Sequence, residues 1–268
     1  MSDYQQVLHT AEQHLLALKA AGIRFLTVQS DTLSRLSEQP PPLPADLRLQ
    51  PEPPRPLASD RPLSTGGMDE LRIQAQACLK CPHLVKSRKN VVFGVGDIHA
   101  QLMFIGEAPG AEEDAQGEPF VGLAGQLLTR IIKAMGLSRD TVYIANILKC
   151  RPDTPGQRSG NRKPTADEMK TCLPYLLAQI ELIRPKVLVA LGATAIEGLL
   201  GKTDAIGKLR GKFLSFSDIP LMPTFHPAYL LRNQAQTEKR KVWEDMLQVM
   251  EKLQLPISDK QRGFFLKP

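Results

Sequence analysis

With 268 residues, 42% of them apolar, the chain is long enough to bury a hydrophobic core. Its longest apolar runs, residues 102–105 and 187–191, are far shorter than the roughly 20 residues of a membrane helix, and the first residues lack a signal-peptide pattern. We therefore expect a soluble, cytoplasmic protein. The net charge of +6 favours a polyanionic partner; residues 1–66 hold six basic and seven acidic side chains, so the positive charge belongs to the remainder.

The chain begins with apolar residues at three- and four-residue steps between Tyr4 and Leu18. This spacing predicts an amphipathic helix that ends near Gly22. A second apolar stretch covers residues 23–36. The two stretches can form a small helical hairpin, or the first helix can dock on another surface.

A proline-rich segment follows. Nine of the 22 prolines fall within residues 40–62, a composition that favours extended polyproline conformations over helix or central strand. We predict a helical N-terminal extension over residues 1–38, a Pro-rich linker over residues 39–65 and a larger domain over residues 66–268. The extension is a candidate for binding a protein partner.

The larger domain alternates short apolar runs with longer amphipathic segments, after a first helix that Asp69 is expected to cap and that runs to Cys78. Buried parallel strands are predicted over residues 102–105, 142–145, 187–191 and 221–225, with an edge strand over 212–216. Helices are predicted over residues 123–135, 165–183, 194–200 and 239–253. This order predicts a three-layer α/β/α fold around a central, mainly parallel four-stranded sheet.

Ligands of such sheets bind beyond the carboxyl ends of the strands, so the segments that follow the strands are candidate site segments. The first reads G-E-A-P-G-A-E-E-D, residues 106–114, and G-E-P-F-V-G-L-A-G follows over residues 117–125. Its four carboxylates and the absence of a G-K-[ST] sequence argue against a phosphate-binding loop. On this segment alone, a strand-to-helix turn with a solvated acidic face is the plainer interpretation.

Two more segments end predicted strands. N-I-L-K-C-R-P, residues 146–152, begins with Asn146, whose amide suits the edge of a nucleobase but could also cap a turn. H-P-A-Y-L-L-R, residues 226–232, begins with His226, which is predicted to face the same cleft.

Four cysteines in a cytoplasmic protein are expected to stay reduced, so their spacing indicates metal binding better than disulfides. Cys78 and Cys81 form a C-x2-C pair, and Cys150 and Cys172 lie far downstream. Four thiolates suit either zinc or an iron-sulfur cluster, and their spacing leaves that choice open.

Taken together, these segments resemble the family 4 uracil-DNA glycosylases, and the likeness runs from about Met68 to Leu253. The resemblance implies that residues 66–268 form a catalytic domain that flips uracil out of DNA and hydrolyses its N-glycosidic bond. It implies single- or double-stranded uracil-containing DNA as the partner, with no membrane, and we expect a monomer.

The resemblance also assigns individual residues. Four thiolates match the ligands of a 4Fe-4S cluster, namely Cys78, Cys81, Cys150 and Cys172. Glu113 matches the residue that positions the attacking water, and Glu107 and His226 match further catalytic positions. Phe120 matches the aromatic ring that stacks on uracil, and Asn146 matches the amide that reads its edge.

Chemical reasoning adds to these assignments. His226 should donate to uracil O2, helped by backbone N–H groups around Ala108 to Gly110. Leu230 or Leu231 is expected to enter the DNA as a wedge while Arg232 neutralises phosphates, although the same segment could simply start an amphipathic helix.

Other interpretations stay open. The loop between Cys150 and Cys172 is about five residues longer than we expect for the family, and it either extends the DNA contact or is an insertion without a role. A non-catalytic DNA-binding module and an enzyme for another damaged base, such as hypoxanthine or mismatched thymine, are the rival functions.

Overall fold

The computed structural model of the chain describes residues 66–153 and 161–266. The predicted N-terminal helix, its hairpin partner and the Pro-rich linker lie outside the described residues, as does the middle of the loop between Cys150 and Cys172. The domain boundaries proposed from the sequence therefore stay predictions.

Helices and strands alternate along the described chain, as the sequence predicted. The helices are α1 (Met68–Gln76), α2 (Pro82–Ser87), α3 (Ala111–Gln116), α4 (Leu123–Ala134), α5 (Ala166–Ile183), α6 (Ala193–Leu200), α7 (Ile206–Leu209), α8 (Pro227–Arg232), α9 (Gln236–Lys252) and α10 (Asp259–Arg262). The strands are β1 (Val95–Gly96), β2 (Leu102–Gly106), β3 (Tyr143–Asn146), β4 (Val187–Leu191), β5 (Leu214–Phe216) and β6 (Ile219–Thr224).

The sheet has six strands in the order β1-β3-β2-β4-β6-β5. The four central strands are parallel, in agreement with the expectation of a mainly parallel sheet. Two antiparallel edges complete it: β5 lies within the edge strand predicted over residues 212–216 and pairs with β6, whereas β1, which pairs with β3, was not predicted. Because the four parallel strands point the same way, the segments that follow them meet at one edge of the sheet.

Side chains of the central strands point alternately into two hydrophobic layers. In β4, Leu188 and Ala190 face the layer that contains α1, α5 and α6, whereas Val187 and Val189 face the layer that contains α4 and α9. All five residues of β4 are buried, as a strand covered by helices on both faces requires. The three-layer α/β/α architecture is therefore confirmed.

The first helix differs from its prediction. It covers Met68–Gln76 and ends before Cys78, and Gly67, not Asp69, occupies its N-cap position. Asp69 lies in the first turn, where its charge favours the positive end of the helix dipole. Within the described residues, no helix is long and apolar enough to cross a membrane.

Candidate active site

A cavity of about 360 Å³ opens at the carboxyl edge of the parallel strands. We call it the strand-end pocket. The residues that line it come from the ends of β2, β3 and β6, from the segments around α3 and α4, and from the loop after Cys150: Glu107, Ala108, Pro109, Gly110, Glu113, Phe120, Ala124, Asn146, Pro152, Asn161, Arg162, His226, Ala228 and Arg232. The pocket brings together Glu107, Glu113, Phe120, Asn146 and His226, which the sequence placed in one site.

Backbone N–H groups fix the carboxylate of Glu113. Gly110 N donates to Oε2 at 3.0 Å, and Val121 N and Gly122 N donate to Oε1, each at 3.0 Å. Glu113 thereby joins the start of α3 to the segment before α4. A carboxylate oxygen has two lone pairs, so the bonds from Val121 and Gly122 fill Oε1, whereas Oε2 can still accept from a water in the pocket.

Asn146 lines the pocket, and its side chain lies next to Gly106. The residue is 2% exposed, and its Oδ1 is the buried side-chain N or O atom that lacks a hydrogen-bond partner in the described part of the chain. A Cβ on Gly106 would lie 2.4 Å from this oxygen and 2.5 Å from Cζ of Phe120, so only glycine leaves room for both side chains. Leaving a buried acceptor unpaired costs about 1–3 kcal/mol, which a ligand that donates to it would recover.

Phe120 is held in a strained backbone conformation, with a φ angle of 55°. The positive φ of a bulky side chain is a genuine outlier and needs support from its surroundings. Arg139 gives that support, donating to the carbonyl oxygens of Phe120 at 3.1 Å and Pro119 at 2.7 Å. The ring of Phe120 lies 5.7 Å from that of His226 between centroids, and the two are tilted by 31°.

His226 caps α8 and presents a defined nitrogen to the pocket. Its Nδ1 accepts from the N–H of Ala228 at 3.1 Å. In a neutral imidazole the other nitrogen then bears the proton, so Nε2 is a donor. Burial, together with the positive charge of Arg232, lowers the pKa of His226 to about 4, although Glu113 partly opposes the shift. The ring is therefore neutral at pH 7.

Two sequence expectations need correction. Leu230 is 5% exposed and packs within the protein, so it cannot enter DNA without leaving its place. Leu231 is half-buried and lines a neighbouring apolar groove, and Arg232 is exposed at the strand-end pocket.

The second correction concerns the backbone donors of residues 108–110. The N–H of Gly110 donates to Glu113, and Pro109 has no N–H, so Ala108 alone keeps a backbone donor for a ligand.

Three pocket features were missed from the sequence. Asn161 and Arg162 line the pocket although they belong to the long loop before Cys172, and Arg139 supports Phe120 from outside it. The sequence N-R-K-P before a Thr165–Glu168 capping box marks a fixed loop end, which could have drawn attention to Asn161. Nothing local to Arg139 reveals its role, because that role depends on the backbone angle of a residue 19 positions away.

The four cysteines form a second group, on the α1 and α5 side of the sheet. None of the four is in a disulfide. Burial raises the pKa of Cys172 to about 12, with contributions from Cys150 and Cys78 and an opposing effect of Lys149. Burial likewise raises the pKa of Cys81 and Cys150. In residues 66–153 and 161–266, no group of three or more Cys, His, Asp or Glu side chains has the spacing to hold one metal ion directly.

Two of the cysteine sulfur atoms, those of Cys150 and Cys172, accept hydrogen bonds from N–H groups. Arg88 Nη1 donates to Sγ of Cys150 at 3.1 Å, and the backbone N–H of Lys149 donates to Sγ of Cys172 at 3.2 Å. Hydrogen bonds of this kind stabilise thiolates and are among the protein's means of tuning iron-sulfur clusters. Because the described residues offer no direct site for one metal ion, this donor set fits a thiolate-bound cluster better than a single ion.

The fold and the pocket agree with the comparisons with known proteins. Residues 93–247 match the family model of the Uracil DNA glycosylase superfamily, and the chain therefore belongs to that superfamily. This confirms the family expected from the sequence.

Within the superfamily, the chain is similar to type-4 uracil-DNA glycosylases. It is 45% identical to that of Thermotoga maritima over 182 residues, which cover 67% of this chain and 91% of the relative. It is 46% identical to that of Saccharolobus solfataricus over 175 residues, 62% of this chain and 78% of the relative. The identity to a type-5 uracil-DNA glycosylase of Pyrobaculum aerophilum is lower, 29% over 198 residues, 62% of this chain and 84% of the relative.

Proposed function

We propose that this protein is a monofunctional uracil-DNA glycosylase, which hydrolyses the N-glycosidic bond of deoxyuridine in DNA and leaves an abasic site. Its biological role would be base excision repair of deaminated cytosine. The superfamily membership and the type-4 relatives support the reaction. The observation that carries the proposal is the unpaired, buried Oδ1 of Asn146 beside the ring of Phe120.

Binding requires the base to leave the double helix. Flipping a nucleotide costs a few kcal/mol, and stacking of the base on Phe120 would return roughly 1–3 kcal/mol of that cost. Asn146 Oδ1 would accept from uracil N3–H while the amide group donates to O4. Cytosine presents the opposite pattern, and buried polar groups left unpaired in this way can discriminate by about 10⁴-fold or more.

Bond cleavage leaves negative charge on the uracil ring and positive charge on the sugar. The neutral His226 would donate from Nε2 to uracil O2 as the electrons of the C1′–N1 bond move onto the base. Glu113, fixed by its three N–H donors, would orient a water for attack on C1′ and stabilise the cationic sugar. The water's oxygen joins C1′ and keeps one proton as the new hydroxyl group, while its other proton passes to solvent or to the departing uracil. Glu107 lines the same side of the pocket and is a further candidate for holding that water.

The DNA surface would include the end of α8. Arg232 is exposed at the pocket and would neutralise a phosphate, and Leu231 replaces Leu230 as the candidate wedge. We also propose that the protein works as a cytoplasmic monomer.

The four cysteines would hold a 4Fe-4S cluster, which would act as a structural link between the Cys78 segment and the loop between Cys150 and Cys172. The four-thiolate donor set and the N–H and Arg88 donors to sulfur support this assignment. The purified protein should be brown, with broad absorbance near ~400 nm and stoichiometric iron and sulfide. A colourless protein that contains stoichiometric zinc would contradict the cluster.

The activity is tested with oligonucleotides that carry one uracil, one hypoxanthine or one G:T mismatch, each followed by alkaline strand scission. We expect scission at uracil in both single-stranded and duplex DNA. Scission only at hypoxanthine or thymine would indicate a different damaged base. Tight binding of uracil-containing DNA without any scission would indicate a non-catalytic module.

A further inference from the structure

A buried carboxylate outside the proposed chemistry connects the strand-end pocket to the cysteine-bearing part of the chain. Glu168 lies in the first turn of α5 and is 3% exposed. The guanidinium of Arg162 donates two hydrogen bonds to this carboxylate, from Nη1 to Oε2 at 2.8 Å and from Nη2 to Oε1 at 2.5 Å. His83 Nε2 lies 2.6 Å from Oε1, and the N–H of Thr165 donates to Oε2 at 2.7 Å.

These partners belong to three separate segments. His83 is in α2, which begins directly after Cys81. Thr165 caps α5, the helix that contains Cys172. Arg162 lines the strand-end pocket. Bidentate pairing with a carboxylate fixes both the distance and the plane of a guanidinium, so Glu168 fixes the side chain of Arg162. It thereby helps to hold the neighbouring Asn161, whose Oδ1 also accepts from Arg151 Nε at 2.9 Å.

The position of Asn161 matters to the pocket. Its Nδ2 lies 3.2 Å from the point that a Cβ on Gly110 would occupy, and Oε2 of Glu113 lies 2.6 Å from the same point. The amide of Asn161 and the carboxylate of Glu113 therefore face one small space at the edge of the pocket. A shift of about 1 Å in a group that positions reactants can lower a rate by about 100-fold.

Residues on the two sides of the long loop, Pro152 and Asp153 on one side and Asn161 and Arg162 on the other, are joined by backbone contacts. Asp153 and Asn161 form an antiparallel bridge, and the N–H of Arg162 donates to Pro152 O at 3.2 Å. Arg162 Nε also donates to Asp153 O at 3.2 Å. These bonds join Pro152 and Asp153 directly to Asn161 and Arg162.

We propose that Glu168 is a positioning residue for uracil excision: through Arg162 it helps to hold the Asn161–Arg162 segment against the carboxylate of Glu113, whereas residues 154–160 are dispensable for the chemical step. The inference rests on the proposed glycosylase function. Glu168 touches neither DNA nor the reacting atoms in this account, and its effect is transmitted by the geometry of the segment.

The test measures single-turnover uracil release at saturating DNA, together with the dissociation constant for uracil-containing DNA and the melting temperature. Glu168→Gln and Arg162→Met should lower the single-turnover rate by about 10- to 100-fold, with DNA affinity within about 3-fold of wild type. Arg162→Lys keeps the positive charge but cannot form the two parallel hydrogen bonds to Glu168. Its single-turnover rate should lie between those of Arg162→Met and the wild-type protein.

Two matched controls distinguish a change in the position of the Asn161–Arg162 segment from a general loss of stability. Lys163→Met removes an adjacent ion pair, Lys163 with Glu197 at 2.5 Å, without touching Glu168, and should keep the wild-type rate. Replacing residues 154–160 by Asn-Gly should also keep it. If Glu168→Gln and Arg162→Lys match Lys163→Met in rate and differ only in melting temperature, Glu168 is merely structural and the inference is wrong. If Glu168→Gln does not fold, the comparison of Arg162→Lys with Lys163→Met decides alone. Failure of the wild-type protein to release uracil would instead refute the proposed function.

Discussion

Two buried polar side chains lie near the ends of parallel strands, and they differ in whether their oxygen atoms are hydrogen-bonded. Asp245 of α9 is fully buried next to Thr224, the last residue of β6. It accepts from Thr224 Oγ1 at 2.6 Å and from Arg210 at 2.6 and 3.0 Å. At the end of β3, Asn146 is almost as buried, and its Oδ1 has no partner in the described residues.

The difference separates structure from function. Buried polar groups are almost always hydrogen-bonded, so the satisfied Asp245 cluster (Asp245, Arg210 and Thr224) reads as part of the folded framework. An unsatisfied acceptor costs stability and persists where a ligand supplies the missing donor. The two sites should therefore respond in opposite ways to mutation, one in activity and the other in stability.

The largest expected effect is on the activity of Asn146→Ala. We expect single-turnover uracil release to fall by about 10³- to 10⁴-fold, because the flipped base loses the group that reads its edge. The free energy of unfolding should stay the same or rise, since the change removes an unpaired buried acceptor. Quench-flow assays and urea denaturation measure the two quantities. A near wild-type rate would remove the base-reading role of Asn146.

Asp245→Ala should give the reverse pattern. It leaves the mostly buried guanidinium of Arg210 with only the carbonyl of Lys241 as a hydrogen-bond partner among the described residues, and breaking a buried ion pair costs up to about 3–5 kcal/mol. Urea denaturation should show this loss, whereas uracil release per folded molecule should stay within about 2-fold of wild type. A large loss of rate in the folded protein would mean that the Asp245 cluster also serves the pocket.

His226 adds a pH dependence to the comparison. Its pKa is about 4 in the folded protein against 6.5 as the ordinary value, so below pH 6.5 the unfolded chain takes up a proton that the folded protein does not. Stability should thus be fully present above pH 6.5 and should decline as pH falls toward 4, by a few kcal/mol at most. His226→Gln should flatten this part of the stability curve. Melting temperatures of both proteins between pH 8 and 4 test the expectation, and parallel curves would contradict it.

The smallest effect is expected at the rim of the pocket. Leu231→Ala should slow uracil release from duplex DNA by about 3- to 10-fold and leave single-stranded DNA nearly unaffected, because a wedge matters only where a base step must be held open. Ile98→Ala, at an exposed apolar residue before the amino end of β2, is the control. Equal losses on both substrates would show that Leu231 is not a wedge.

The sequence predicted the four parallel strands because each is a short apolar run. It predicted that Asn146 and His226 share a cleft because each lies at the end of a strand, whereas Phe120 was added only by the resemblance to the family. It missed β1, which has only two residues and no periodicity. It could not decide between Leu230 and Leu231, since six residues of helix give too little pattern to fix the buried face. Asn161 and Arg139 were missed because their places depend on contacts between distant segments.

The most direct test of the account is a crystal structure of the protein with DNA that contains 2′-fluoro-deoxyuridine, whose fluorine slows cleavage. The account predicts a flipped uracil stacked on Phe120, with N3 about 3 Å from Asn146 Oδ1 and O2 facing Nε2 of His226. A uracil bound outside the strand-end pocket, or one whose N3 faces away from Asn146, would contradict it.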